Sequence, residues 1–400
     1  MRKRNKILAC ALAAAIFIAT GVGAKVLATS QTEDSTKQTD TETTKLTKTQ
    51  EESLKKIKAA YDVKNQEKTA EELEEKKSSQ EYTLSNMLIE YNPFGTNTQS
   101  LYVYFNTDEP VSVAYTVHAE DSKIQDFNRT VYQEEAYQKE HEFQVIGLIP
   151  DMENKVTFFL TKEDGSTDTK EIVFEMGPLM GTEDVQLDTD VEGNASQLED
   201  GLYVVLGNDS TALDFMYYYD NHGTLRGEVP LLGYRSHRLI FDQDSMYYSI
   251  SETKMAQLSR TGQVTNVFDL GDYEVHHDYV FDDNGNMLIL ASDKKQDSTE
   301  DVVIKLDVNS GEVTKVLDLG ALFGEYKAEC QRSEEGELDW MHINTIQYIG
   351  NGSVLLSSRE TSTIIKVDNI YDGPVVSYMI GEKDFWKDTS YVSLLLNKKG

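Results

Sequence analysis

The 400-residue chain is acidic, with 69 Asp and Glu against 38 Lys and Arg and a formal net charge of -31. That balance excludes nucleic-acid binding, which needs Lys and Arg surfaces against phosphate, and the length allows two or three domains around a large buried core. Cys10 falls in an apolar N-terminal stretch and leaves Cys330 without a partner, which excludes an intramolecular disulfide or a Cys₄ metal site in the remainder.

In chain order, Arg2, Lys3, Arg4 and Lys6 precede an apolar, Ala-rich stretch over residues 7–24 that ends in Val22-Gly23-Ala24. A basic start, an apolar middle and small residues at the end describe an export signal. The same 18 residues also suffice for a thin membrane anchor, so residues 1–24 are read as a signal peptide or a membrane anchor. Residues 25–82 form a disordered or helical spacer. Its first half is rich in Thr, Lys, Gln and Ser; its second is dense in Glu and Lys, with Leu54, Ile57, Ala60 and Tyr61 as sparse apolar anchors. A solvent-facing helix with weak core contacts, a stalk, is the expectation there.

Residues 83–180 change character. The runs 101–105, 111–117, 156–160 and 170–174 are short, aromatic and β-branched, with turn residues between them, as in a small β-sandwich. From residue 187 to 400 the pattern repeats: strand, polar turn with Gly, strand. Aligning Met246-Tyr247-Tyr248 with Met287-Leu288-Ile289 gives a step of 41 residues. Such a step fits a four-stranded propeller blade. A longer step of 66 follows, with a Glu- and Gly-rich insertion over residues 320–338. A parallel solenoid or a second sandwich is the alternative.

Two histidines recur within this repeat. His276 precedes Asp278 by two residues and Gly285 by nine; His342 precedes Asn344 by two and Asn351 by nine. Residues just before the inner strands of a propeller sit at the mouth of its central channel, so His276 and His342 are expected to face a common axis. The same register puts Arg359 at the end of an inner strand, where a guanidinium is desolvated unless it meets an anion. Two imidazoles and an Arg suit a sulfate or phosphate. One step earlier stands Arg235, with His237 close by. Zinc at His276, His277, His342 and Asp278 is disfavoured, because neighbouring residues of a strand point to opposite faces; His277 is then a packing residue. Calcium at Asp282, Asp283 and Asn284 is a weaker alternative. His118, His141 and His222 lack supporting neighbours. No cofactor and no metal is expected.

Several motifs resemble the bacterial arylsulfate sulfotransferases that work without 3′-phosphoadenylyl sulfate, over about residues 82–400. They are Asn92-Pro93-Phe94-Gly95-Thr96, the run from His141 to Pro150, His276-His277-Asp278 and Asn284-Gly285-Asn286. Asp339-Trp340-Met341-His342-Ile343-Asn344 and Ser357-Ser358-Arg359-Glu360 complete the set. The resemblance implies an all-β chain, an N-terminal β-sandwich followed by a six-bladed β-propeller, exported to the periplasm, the cell surface or the medium. It implies transfer of a sulfuryl group from a phenolic sulfate donor to a phenol acceptor, by a ping-pong route through a sulfated histidine. The anion-holding residues of the family fall on His276, His342 and Arg359. Its nucleophilic histidine belongs to a later blade, and no histidine follows His342 here. The expectation is therefore an incomplete propeller that lacks this residue and is inactive as written. A homodimer is the assembly kept open, and a non-catalytic cell-surface propeller binding a ligand or protein is the alternative function.

Overall fold

The structure, a computed structural model, describes residues 46–188, 201–207 and 213–397. The proposed export or anchor segment at residues 1–24 lies outside the described residues. Among those described, no helix is long and apolar enough to cross a membrane.

Two helices come first, α1 (Lys48–Ala60) and α2 (Val63–Ser79). Thr47 caps α1 reciprocally with Gln50, and Asp62 caps α2 by accepting the amides of Lys64 and Asn65. The stalk expectation is corrected here. Ile57 is fully buried in a core it shares with Phe215, Tyr217 and Tyr248. The Tyr61 hydroxyl donates to the Pro230 carbonyl at 2.5 Å and lies 2.9 Å from the Tyr248 hydroxyl. Buried Gln66 donates to the carbonyls of Ala60 and Phe94 and accepts from the Val264 amide at 3.0 Å. The few apolar anchors in this polar segment are thus spent on one buried seam, which composition alone disguises.

Strands β1 (Leu88–Tyr91), β2 (Ser100–Ala119), β3 (Phe127–Thr130), β4 (Gln138–Ile146), β5 (Glu153–Lys162) and β6 (Thr167–Glu175) form an antiparallel system. Its organiser is β2, twenty residues long. The first half of β2 pairs with β1 and β4; the second half pairs with β3 and β5. A register shift between Asn106 and Val111 separates the two halves.

Four further antiparallel sheets follow in sequence. The first has three strands, β7 (Tyr203–Val205), β8 (Phe215–Tyr219) and β9 (Leu225–Pro230). The second has β10 (Leu239–Asp242), β11 (Ser245–Ser251), β12 (Lys254–Ser259) and β13 (Val264–Asp269). The third has β14 (Tyr273–Phe281), β15 (Met287–Asp293), β16 (Val302–Leu306) and β17 (Val313–Asp318). The fourth has β18 (Ile343–Tyr348), β19 (Val354–Ser358), β20 (Thr363–Asp368) and β21 (Val375–Gly381). Within each of these four sheets the strands run antiparallel and each is hydrogen-bonded to its sequence neighbour.

Alternation along the strands explains how these sheets stack. In β15, Met287, Ile289 and Ala291 join a core with Tyr247 and Met255 of the preceding sheet. Leu288 and Leu290 join the core of the following sheet, with Ile346 and Leu356. Successive side chains point to opposite faces, so a strand buried on both faces must be apolar without interruption. The run Met287–Leu290 shows this, and it is why the repeat is visible in the sequence. Ser245–Ser249 and Met287–Leu290 fall in β11 and β15, and Ser353–Leu356 falls in β19 from Val354 on. Each of these is the second strand of its sheet, beside β10, β14 or β18.

Arg226 ties the third-strand edge of the first small sheet to the β1–β6 system. It is fully buried, pairs with Asp220 at 2.8 Å, and donates to the carbonyls of Gly147 and Gln125. Nearby Glu228 accepts from the Thr98 hydroxyl and from the amides of Met180 and Gly181. Truncating the helical seam tests its weight. Ile57→Ala is expected to cost about 2–5 kcal/mol, read as a lowered urea midpoint at unchanged slope.

Candidate functional site

The site lies at one end of the sheets, where β10, β14 and β18 begin. His276 and His277 stand in β14, inside a register shift between Val275 and Tyr279. His342 immediately precedes β18, and Arg359 immediately follows β19. The Arg359 amide donates to the His342 carbonyl at 3.1 Å, which places these two side by side. Glu300 precedes β16, and the Ile343 amide donates to its carbonyl at 3.1 Å. His237 and Arg238 precede β10.

The expected separation of His276 and His277 onto opposite faces is overturned. Alternation holds only for regular extended backbone, and His277 is in the left-handed region with φ 51°. Both imidazoles consequently enter one cluster, their ring centres 5.3 Å apart. His277 Nε2 lies 2.9 Å from His342 Nε2. His342 is itself left-handed at φ 47°, and so is Glu300 at φ 54°. The repeat spacing pairs His276 with His342; backbone conformation pairs His277 with His342. Non-glycine residues held there cost about 1–3 kcal/mol each and concentrate at functional sites.

Glu300 is the hub. Its Oε2 lies 2.9 Å from His342 Nε2, 3.3 Å from His277 Nε2 and 3.9 Å from His276 Nδ1. Burial would raise the Glu300 carboxyl, but His277 and His342 hold it well below the usual carboxylate range. Asp339 Oδ2 accepts from His342 Nδ1 at 2.7 Å and from Arg359 Nη2 at 3.1 Å. Burial works against a charge on His342, yet its bonds to Asp339 and Glu300 lift it to about 9. It is cationic at neutral pH. His276 is the opposite case: burial pushes it down to about 4, and neither ring nitrogen finds a hydrogen-bond partner among the described residues. His237, pushed by burial to about 3, accepts the His277 amide on Nδ1 at 3.0 Å.

Arg359 differs from its expectation. Its side chain is 41% exposed rather than desolvated, with Nε donating to Glu360 at 2.8 Å and Nη2 to Asp339. It borders the cluster through Asp339. Asp278, weighed as a zinc ligand, spends its oxygens elsewhere. Oδ1 accepts from Arg238 Nη1 at 2.7 Å and the Tyr279 amide; Oδ2 accepts from the Ile346 amide at 3.1 Å. Calcium at Asp282 is disfavoured for the same reason. Its carboxylate already accepts from the amides of Asn284 and Asn286, the Asn286 side chain and the Tyr371 hydroxyl. Two groups of three potential ligands do converge, His276 with His277 and Glu300, and Glu300 with Asp339 and His342.

Sequence reasoning missed Glu300 and Asp339. Asp339 had a signal, three residues before His342 in the same motif; Glu300 sits in a polar loop with no periodicity to mark it. An oriented imidazolium, a neutral buried imidazole and paired carboxylates can hold charge and move protons around a polar substrate.

Residues 188–400 match the family model for arylsulfotransferase (ASST), and residues 88–177 match the arylsulfotransferase Ig-like domain. The chain belongs to the arylsulfotransferase family. It matches none of the curated proteins. Among solved structures it is similar to a catalytically inactive virginiamycin B lyase from Staphylococcus aureus with quinupristin, at 8% identity and a TM-score of 0.28. That match covers 74% of this chain and 83% of the other. It is similar also to a functionally unknown protein from Desulfotomaculum acetoxidans DSM 771, at 10% identity and TM-score 0.30, covering 74% and 79%. The computationally designed Ika8 protein matches at 14% identity and TM-score 0.27, covering 70% and 83%. These structural likenesses are too loose to bear on function. The family membership rests on the two family models.

Two outcomes follow. Asp278→Ala leaves the Ile346 amide and Arg238 without their shared acceptor, and is expected to cost roughly 1–3 kcal/mol, measured by chemical denaturation. His141, in β4, is stacked on Phe105 at 4.8 Å and pushed by burial to about 4. The unfolded chain takes up its proton near pH 6.5, the folded chain only near 4, so its contribution is lost as pH falls between those values. His141→Phe is expected to flatten the decline of the urea midpoint across that window; an unchanged slope would refute the assignment.

Proposed function

We propose that this chain is an exported aryl sulfotransferase, with residues 83–180 as its β-sandwich and residues 187–400 as a propeller of the six-bladed kind. The reading moves a sulfuryl group from a phenolic sulfate to a phenol acceptor by a ping-pong route through a sulfated histidine. The single observation that carries it is the histidine cluster at one end of the stacked sheets, within a chain of the arylsulfotransferase family. The stacking of successive four-stranded sheets through alternate faces of their strands supports the propeller.

In this reading His342, cationic and oriented by Asp339, holds the sulfuryl oxygens together with Arg359. Phenolate leaves as the S–O bond to the donor breaks and an N–S bond forms on the family's accepting imidazole, for which this sequence offers no histidine after His342. His276 is neutral, so one ring nitrogen donates to the departing phenolate oxygen and the other accepts from the incoming phenol. The accepting imidazole's N–H proton passes to the departing phenolate in the first half-reaction, releasing phenol; in the second the N–S bond breaks, an S–O bond to the acceptor forms, and the acceptor's proton returns to that imidazole. Developing negative charge is met by groups already in place, which is the larger share of catalysis in such sites.

Incubation with 4-nitrophenyl sulfate and a phenol acceptor tests this. Nitrophenol release that depends on the acceptor is expected once a later, histidine-bearing blade of the family is joined to the chain, and little without it. His276→Ala and His342→Ala should each lower kcat/KM by about a hundredfold or more, while Arg359→Ala should act mainly on KM for the donor. Acceptor-dependent transfer that survives both histidine substitutions would remove this cluster from the reaction.

A further inference from the structure

Three corners of the cluster form a shape that proton sharing alone does not require. His277 Nε2, His342 Nε2 and Glu300 Oε2 make a triangle with edges of 2.9, 3.3 and 2.9 Å. For metal–ligand bonds of about 2.0–2.1 Å, neighbouring ligand atoms lie about 3.0 Å apart in an octahedral shell and about 3.4 Å apart in a tetrahedral one. The triangle has those dimensions. Two imidazoles and a carboxylate on one face, with other positions open, constitute a well-attested metal-binding set.

The surroundings favour an ion over a shared proton. Asp339 accepts from His342 Nδ1 at 2.7 Å, leaving Nε2 as the inward atom; a carboxylate behind a ligating imidazole is the usual orienting partner. All three corner residues are held in left-handed backbone, so the protein maintains this convergence against local strain. His276, with side-chain exposure of only 10% and both ring nitrogens unpartnered among the described residues, stands beside His277 with hydrogen-bonding capacity to spare. Charge points the same way. Glu300 and Asp339 put two carboxylates against the imidazoles of His277 and His342, the donor set a divalent cation takes.

We propose that His277, His342 and Glu300 form a facial site for one divalent first-row transition cation, whose remaining positions take the sulfuryl oxygens of the donor. The ion replaces the proton on His342 Nε2, which leaves to solvent, and the charge holding the ester is then the ion's. Its part in transfer rests on the reading of the preceding subsection; its binding does not.

The test uses the full chain, stripped with chelator and dialysed, then titrated with Co²⁺ and followed by visible absorption, with metal content measured after dialysis against Zn²⁺ or Mn²⁺. One equivalent bound, with ligand-field bands, is expected. Glu300→Gln and His277→Ala should weaken binding at least tenfold, and Asp339→Asn about 10–100-fold. His118→Ala, at an exposed pair with Asp126, should change nothing. Circular dichroism melts establish that each variant is folded, and the near-isosteric Glu300→Gln keeps the test decisive if His277→Ala is not. Substoichiometric binding by the native chain, or native affinity in folded Glu300→Gln, overturns the site. Undiminished nitrophenol transfer by the chelated protein overturns the ion's role and leaves the sulfotransferase reading standing. One bound equivalent with no transfer, even by the chain joined to a later histidine-bearing blade, supports the site and overturns that reading instead.

Discussion

The site depends on the carboxylate of Asp278. One buried oxygen receives Arg238 from the lead into β10 and the amide of its own neighbour Tyr279; the other receives the Ile346 amide from β18. Three successive sheets are thereby pinned at the end where their first strands begin. A charged acceptor takes stronger bonds than a neutral one, and here it takes them across segments separated by about a hundred residues. The bulge that lifts His276 and His277 into the cluster brackets Asp278 itself. Displacing this carboxylate would therefore shift the imidazoles as well as the sheets.

Polarity in the cluster is arranged in layers. Glu300 and Asp339 sit on either side of His342, and these two carboxylates favour a charge on its imidazole. His276 and His237, a few ångströms away, are kept neutral by burial. Neighbouring rings of the same chemistry thus hold different protonation states, because desolvation and charge pairing act on them unequally. Such a separation suits a site that must grip an anion and also relay a proton.

Much of this was legible beforehand. The stacked sheets announce themselves because strands buried on both faces, such as Met287–Leu290, cannot alternate with polar residues. His276 and His342 were legible through their common spacing to Asp278 and Asn344 and to the following turns. Other features were hidden for physical reasons. His277 was misassigned because the rule of alternating faces presumes regular strand, and a left-handed residue breaks it. Glu300 is delivered by a polar loop whose position depends on a backbone bond from Ile343, a tertiary fact. Arg359 was expected to be stripped of water, but Asp339 and Glu360 reach it at the surface. The anchors Ile57 and Tyr61 were visible; the surfaces they seat on were not.

Those surfaces carry a consequence for how the chain acquires its form. Tyr61 is bonded to a carbonyl 169 residues later, and Gln66 to an amide 198 residues later. Contacts so remote in sequence are slow to form, because a long loop must close before they return anything. At a synthesis rate of about 5–20 residues per second, the helices wait roughly 10–40 s for their partners to emerge. In isolation such short polar helices are marginal. The first helices among the described residues are therefore among the last to be secured in time.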